Sequence, residues 1–162
     1  MRLLATALVL ASAHAAAAQD HSHCQASGAH RSAVDHRHDR TTGVAHQASV
    51  HHFRIADDGG SILLEATDAG DVATRDRIRA HLRRIADAFT AGDFTMPRTI
   101  HAQAPPGTDV MAERSAAIRY AFEPTERGGR VTIATGDPEA LRAVHAFLRF
   151  QIDDHGTGDP TE

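Results

Sequence analysis

The sequence predicts an α+β domain with two layers, in which two copies of a ββα unit form a four-stranded antiparallel sheet with two helices on one face. Two segments of alternating apolar and polar residues, 51–67 and 118–133, each turn at a Gly-Gly pair, and helical apolar spacing follows each of them. The two Gly-Gly pairs and the residues after them align at a constant offset of 69 residues. We interpret this offset as a weak internal duplication.

The first unit is predicted to begin with a β-hairpin. Residues 51–56 alternate between apolar and polar, and residues 57–60, Asp-Asp-Gly-Gly, have the composition of a hairpin turn. A helix then begins at Asp68 or Asp71 and ends near Gly92, since glycine readily takes the left-handed conformation that terminates helices. Its predicted apolar stripe consists of Ile78, Leu82, Ile85 and Phe89.

The second unit repeats this order. Residues 118–122 alternate, residues 126–129 form the turn, and Asp137 with Pro138 is a strong signal for the start of a helix that ends near Gly156. Strands with one apolar face need a covering layer, so the two helices are expected to pack on the same side of the sheet. The stripe of this helix is predicted to contain Leu141, Val144, His145, Leu148 and Ile152.

The remaining segments have different compositions. Residues 1–18 contain one charge, a short apolar run and then small residues, which is the pattern of a signal peptide. Residues 19–50 are rich in His, Ala and Ser without periodicity, so we expect a disordered tail before a domain at 51–160. The linker 93–115, which includes Pro105-Pro106-Gly107, is expected to be a structured loop over the sheet or helices.

Export and composition limit the possible partners. The apolar run near the amino terminus is shorter than the roughly 20 residues that cross a bilayer, so we expect no membrane span after cleavage and a periplasmic or secreted protein. A net charge of −4 makes nucleic acid a poor partner. The one cysteine, Cys24, cannot form an internal disulfide and is a spare thiol, a dimer link or a soft metal ligand.

Histidine is the residue in excess, with 13 in a chain that has no tryptophan. Imidazole is the commonest transition-metal ligand and suits Cu²⁺, Zn²⁺ and Ni²⁺. In the tail, alternate residues of an extended chain lie on one side and could hold one ion. The tail candidates for metal ligands are His21, His23, Cys24, His36 and His38.

Four histidines of the domain are further candidates. His81 and His145 occupy similar places in the two duplicated helices, so the rings could approach each other and share an ion or a buried water. His101 lies before the Pro-Pro-Gly bend as a third ligand, and His51 opens the first strand. The alternative for each of them is a structural role as a core histidine with its hydrogen bonds satisfied. His155 is interpreted as a cation at a helix carboxyl terminus.

These patterns predict an exported protein that captures or stores a transition metal. The alternative is a non-catalytic ligand- or partner-binding module with structural or pH-sensing histidines. An enzyme is the least supported class, since the chain has no His-Glu-x-x-His, Gly-rich phosphate loop, Gly-x-Ser-x-Gly or Cys-x-x-Cys sequence. No organic cofactor is implied.

The chain also resembles an uncharacterised family of small secreted bacterial proteins with a His-rich amino-terminal tail. The resemblance covers about residues 43–160 and is most specific in the run Phe147-Leu148-Arg149-Phe150-Gln151-Ile152 followed by His155-x-Thr157-Gly158-Asp159-Pro160. It implies one fold and no particular activity. Some members carry an aspartate carbamoyltransferase label, but such enzymes resemble a larger two-domain architecture with a Ser-Thr-Arg-Thr-Arg phosphate loop that is absent here.

Overall fold

A computed structural model describes the backbone of residues 14–162 and the side chains of residues 28–162. The chain divides into two compact units, Met1–His30 and Arg31–Glu162. Residues 14–30 of helix α1 (His14–Thr42) belong to the first unit, and residues 31–42 of the helix belong to the second unit together with the folded body. Most of the predicted signal peptide, 1–18, lies outside the described residues. No helix in the described part of the chain is long and apolar enough to cross a membrane.

The body contains one four-stranded sheet. Strands β1 (Ser49–Ala56) and β2 (Gly59–Ala66) form one hairpin, and β3 (Ile118–Pro124) and β4 (Gly128–Thr135) form another. All neighbours are antiparallel in the order β1-β2-β4-β3, so the predicted α+β class is confirmed. The central pairing is reciprocal, since Gly60 pairs with Ile133 and Leu64 pairs with Gly129.

Glycine is required where the two central strands meet. A Cβ atom on Gly59 would lie 2.0 Å from the carbonyl oxygen of Ile133, and one on Gly128 would lie 2.1 Å from that of Leu64. Gly59 also has a φ of 146°, which other residues rarely adopt. The Gly-Gly pairs therefore permit the close strand approach on which the sheet depends.

Two long helices pack on the sheet, α2 (Val72–Thr90) and α5 (Pro138–His155). The side chain of Asp71 caps α2 by accepting from the backbone N–H of Thr74, and Asp137 caps α5 in the same way. Gly156 ends α5 with a φ of 63°. The core between helices and sheet contains Phe53, Leu64, Ile78, Leu82, Phe89, Val131, Ile133, Val144, Phe147 and Leu148.

The buried stripe of α5 differs from the predicted one. Val144, Leu148 and Ile152 are buried as predicted, but Leu141 and His145 are only partly buried. Ala140, Phe147 and Gln151 are buried as well. The helix is rotated about its axis relative to the duplicated alignment, because residues one apart point about 100° from each other. His145 consequently lies beside the stripe rather than in it.

The linker 93–115 contains more regular structure than the expected loop. It folds into α3 (Thr95–His101), α4 (Thr108–Glu113) and the start of a 3₁₀ turn at Ser115–Ala117. Pro97 is tolerated because it falls in the first turn of α3, where backbone N–H groups have no helical partner. The linker is thus part of the core, with Ile100 and Met111 buried.

The segment predicted as a disordered tail, 19–50, also differs. Helix α1 continues to Thr42, a 3₁₀ turn spans His46–Ala48, and β1 already begins at Ser49. Val34 is 0% exposed and Val44 is 1% exposed. The composition predicts too little apolar surface for the segment to fold alone, but a few buried residues suffice to order it when they pack against an existing core.

Candidate functional site

Five histidines from five elements line one cavity of about 50 Å³. His38 comes from α1, His51 from β1, His81 from α2, His101 from α3 and His155 from α5. We call this group the histidine cluster. The rest of the cavity wall is mainly apolar, and it includes Phe53, Leu64, Phe89 and Phe147. A space of this size holds a small number of waters or one ion.

The rings of the cluster are neighbours. The centroid of the His38 ring lies 4.8 Å from that of His51, 5.9 Å from that of His81 and 6.2 Å from that of His155. The His155 centroid is 5.1 Å from both the His51 and the His101 centroids. His38, His51 and His155 therefore form a triangle of mutually close imidazoles, with His81 beside His38.

Most of these rings have buried nitrogen atoms without hydrogen-bond partners among the described protein groups. They are Nδ1 of His51, His81 and His155, and both Nδ1 and Nε2 of His38. His38 is 2% exposed, so water from the bulk does not reach it. Leaving a buried donor or acceptor unpaired costs about 1–3 kcal/mol, and native structures contain few such groups. The cluster concentrates five of them.

Four rings of the cluster, those of His38, His51, His81 and His155, are held in the neutral form. Burial lowers the pKa of His81 to about 3 and that of His155 to about 3. Burial also lowers the pKa of His38, and it lowers the pKa of His51 well below its usual value, with the nearby His155 ring acting in the same direction. A neutral imidazole has one nitrogen lone pair, so each of these rings is a potential ligand at pH 7.

His101 differs from the other four because both of its nitrogens have partners. Its Nδ1 lies 2.5 Å from Oδ2 of Asp154, and its Nε2 lies 3.1 Å from Oε1 of Gln151. A proton on Nδ1 leaves a lone pair on Nε2, which favours the opposite orientation of the Gln151 amide. Such a flip would give the buried amide nitrogen of Gln151, which now has no partner, an acceptor. Asp154 holds this ring as second-sphere carboxylates hold metal-binding histidines.

The carboxyl-terminal segment fixes the strand beside the cluster. Asp159 contacts Nδ1 of His52 at 2.9 Å and accepts the backbone N–H of Phe53 at 2.9 Å. These bonds occupy the free edge of β1 next to His51. The residues after α5 thus help to position one wall of the cavity.

The sequence-predicted ligands separate into three groups. His38, His51, His81 and His101 come together in the cluster. His36 is exposed on α1, and His145 lies outside the cavity, where its Nε2 hydrogen-bonds the carbonyl oxygen of Ala56 at 2.9 Å. The predicted approach of His81 and His145 is therefore corrected. The last group, whose side chains lie outside the described residues, is His21, His23 and Cys24.

Sequence reasoning missed His155 as a member of the site. The signal was present, since His155 follows Val144, Leu148 and Gln151 at helical spacing, but its position near the helix end favoured a dipole role. The structure buries it instead, at 8% exposure.

The histidine cluster can donate nitrogen lone pairs to one ion or small molecule bound in its apolar cavity. Among the described residues, no three His, Cys, Asp or Glu side chains are positioned to hold a metal ion as they stand. The chain matches no family model, no curated protein and no solved structure.

Proposed function

We propose that the chain is an exported protein that captures or stores one transition-metal ion, Cu²⁺, Zn²⁺ or Ni²⁺, in the histidine cluster. His38, His51 and His155 are the primary ligands in this proposal, and His81 is the fourth. The observation that carries it is the set of neutral, buried imidazoles whose nitrogens lack hydrogen-bond partners. An ion would satisfy several of these lone pairs at once.

The spacing of the rings supports this choice of ligands. An ion bound at about 2.0–2.1 Å from two imidazole nitrogens places the ring centroids about 5 Å apart at a tetrahedral angle and about 6 Å apart when the rings are opposite. The distances within the cluster run from 4.8 to 6.2 Å. Rotation of the rings, with little movement of the backbone, is therefore the change that coordination requires.

The donor set also restricts the metal. The four proposed ligands are neutral nitrogens, and among the described residues the carboxylate at hydrogen-bond distance from the cluster, Asp154, is bonded to His101. Imidazole sites suit copper, zinc and nickel, whereas magnesium and calcium prefer oxygen ligands. Export favours such a role, because metal ions outside the cytoplasm are not buffered by the cell.

Two variants on the same helix test the proposal. Calorimetry and elemental analysis of the mature chain should find one tightly bound ion, and His38→Ala should weaken binding by more than about 100-fold because it removes a ligand. His36→Ala is the matched control. It lies two residues away on α1, but its side chain is exposed and does not line the cavity of the cluster. Its affinity should equal that of the unmodified chain.

Two results would reject the proposal. One is millimolar, sub-stoichiometric binding by the unmodified chain. The other is equal weakening by His38→Ala and His36→Ala, which would assign binding to an extended tail chelate rather than to the cluster.

The second candidate is a non-catalytic ligand- or partner-binding module with pH-sensing histidines. The lowered pKa values of His81 and His155 favour it, because protonation of buried rings opposes the folded arrangement. Binding of a partner that survives a chelator but changes between about pH 5.5 and pH 7.5 would support this function over metal binding.

A further inference from the structure

A second group of histidine and carboxylate side chains lies at the surface beside the histidine cluster. Asp35, His36, Asp39 and His46 line a shallow, polar pocket of about 310 Å³. The first three come from α1, and His46 comes from the 3₁₀ turn that follows it. We call this pocket the outer pocket.

We propose that the outer pocket is the entrance through which a divalent cation reaches the histidine cluster, with Asp35, Asp39 and His46 as a transient first set of ligands. This inference rests on the proposed function and adds a second site and a route to it.

Residues of the outer pocket contact residues of the histidine cluster. Oδ1 of Asp39 lies 3.7 Å from Nδ1 of His38, which is buried, has no hydrogen-bond partner among the described groups, and belongs to the cluster. On the other side of the pocket, the His46 ring stacks on the His51 ring with centroids 6.3 Å apart. Asp39 and His46 of the outer pocket therefore each lie beside an imidazole of the cluster, His38 and His51 respectively.

The outer pocket is preorganised. Oδ1 of Asp39 accepts the backbone N–H of His46 at 2.7 Å, which fixes the carboxylate relative to the turn. Oδ1 of Asp35 and Nδ1 of His46 lie 3.4 Å apart, and both are buried atoms without hydrogen-bond partners among the described groups. Two such unsatisfied atoms, a carboxylate oxygen and an imidazole nitrogen, fit a shared cation or a bridging water.

The two sites have different ligands, and their order from the surface inward is the one that entry of a cation requires. Carboxylates attract a hydrated cation, and the side chains of Asp35 and Asp39 are 27% and 40% exposed, so an ion there keeps part of its water. Neutral imidazoles then replace that water in the apolar cavity. The negative charge raises the rate of arrival, whereas the cluster supplies the affinity.

Association kinetics with Cu²⁺ alone test this route. The chain has one tyrosine, Tyr120, and no tryptophan, so quenching of tyrosine fluorescence by Cu²⁺ reports binding in a stopped-flow experiment. The double variant Asp35→Asn with Asp39→Asn removes two charges but keeps an oxygen that can accept the His46 N–H. We expect association about tenfold slower, with the equilibrium affinity of the cluster unchanged.

The control is Asp57→Asn with Asp58→Asn, which removes the same charge from the exposed β1–β2 turn. It should associate at the rate of the unmodified chain. If the double variant at the outer pocket does not fold, Asp35→Asn alone serves, because Oδ1 of Asp35 accepts no hydrogen bond from the described residues and the substitution removes the charge alone.

The outcomes separate the two proposals. Unchanged rates, or equal slowing by both double variants, would overturn the entrance while leaving the metal site. Loss of equilibrium binding would make these residues permanent ligands and would also overturn the entrance. An unmodified chain that binds no Cu²⁺ would reject both proposals.

Discussion

His81 illustrates the free-energy cost of burying a histidine in a core without a hydrogen-bond partner. It is 5% exposed, its Nδ1 has no hydrogen-bond partner among the described groups, and its neighbours along α2 are the apolar Ile78 and Leu82. Leucine has a similar volume and no polar atoms to desolvate. Packing alone would therefore favour leucine at this position, so a ligand role provides a reason for the imidazole.

We predict that His81→Leu stabilises the metal-free chain while it weakens metal binding. Removing one unpaired polar group should raise the free energy of unfolding by about 1–3 kcal/mol at pH 7.5. Urea unfolding with a chelator present measures this gain, and calorimetry with Zn²⁺ measures the loss of affinity.

His145→Leu is the matched control for this experiment. His145 is also on a long helix, but it is partly exposed and donates to the carbonyl oxygen of Ala56. Its replacement should give no stabilisation and no change in metal affinity. If His81→Leu raised the free energy of unfolding no more than His145→Leu does, the description of His81 as an unsatisfied core residue would be wrong.

Individual residues also show how much of the candidate site could be predicted from the sequence. The density of histidine and the helical spacing brought His38, His51, His81 and His101 into the candidate set. The convergence of the first two could not be foreseen, because His38 was assigned to a tail whose packing depends on tertiary contacts. His145 was preferred to His155 because an alignment of duplicated helices does not fix the rotation of each helix on the sheet.

At the scale of elements, α1 decides whether the cluster is complete. Residues 31–42 supply His38 and are attached by few groups, chiefly the buried Val34 and the hydrogen bonds from Arg37 to the carbonyl oxygen of Ile100 and from Arg84 to that of Thr42. Thr42 also accepts the N–H of Val44 where the helix ends. A small contact area makes this segment the one most easily detached.

We predict that Val34→Asn detaches this segment from the body. Placing an amide at a site that is 0% exposed costs burial of apolar surface and leaves polar atoms unpaired. Hydrogen exchange should show faster exchange of the amides in residues 31–42, with the sheet still protected. Metal affinity should fall together with this protection, since His38 leaves the site.

Arg40→Asn provides the control on the same helix, because Arg40 is exposed. It should leave both exchange and affinity unchanged. Protection of residues 31–42 that is identical in the two variants would show that Val34 does not hold the helix.

Local sequence signals predicted some elements well and others poorly. Caps at Asp71 and Asp137, and the stop at Gly156, located the two long helices because these signals act within one turn. Helices α3 and α4 have six or seven residues each and no comparable cap, so their stability comes from contacts with the core. The linker that contains them has three prolines and Gly107, and this composition indicated a loop.

For the whole molecule, the cluster joins parts of the chain that are distant in sequence. Its five rings come from α1, β1, α2, α3 and α5, so each element contributes one ligand or neighbour to the same cavity. An ion that binds only the folded form stabilises it by about 2.7 kcal/mol when its concentration is 100 times the dissociation constant. Metal binding would accordingly be measurable as a rise in global stability, and protons would oppose it.

The last prediction concerns the pH dependence of the free energy of unfolding of the metal-free chain. This free energy should decrease as the pH is lowered, and the decrease should begin well above the pH range in which carboxylates titrate. The pKa of His81 and that of His155 are about 3 in the folded chain, against 6.5 when unfolded, so the unfolded chain binds more protons between those values. Stability is then fully present above about pH 6.5 and is lost as the pH falls toward 3.

Between pH 7.5 and pH 5.5, these two residues together should lower the free energy of unfolding by about 3 kcal/mol. The carboxyls with lowered pKa values, including Asp137 and Asp159, lose their contribution only near and below pH 4, so they do not account for this change. Urea unfolding at several pH values measures it, and His81→Leu should remove the contribution of His81, about 1.4 kcal/mol of the change. Equal stability at pH 7.5 and pH 5.5 would mean that the rings are already solvated or paired in the folded chain, and the neutral cluster on which the metal site depends would not exist.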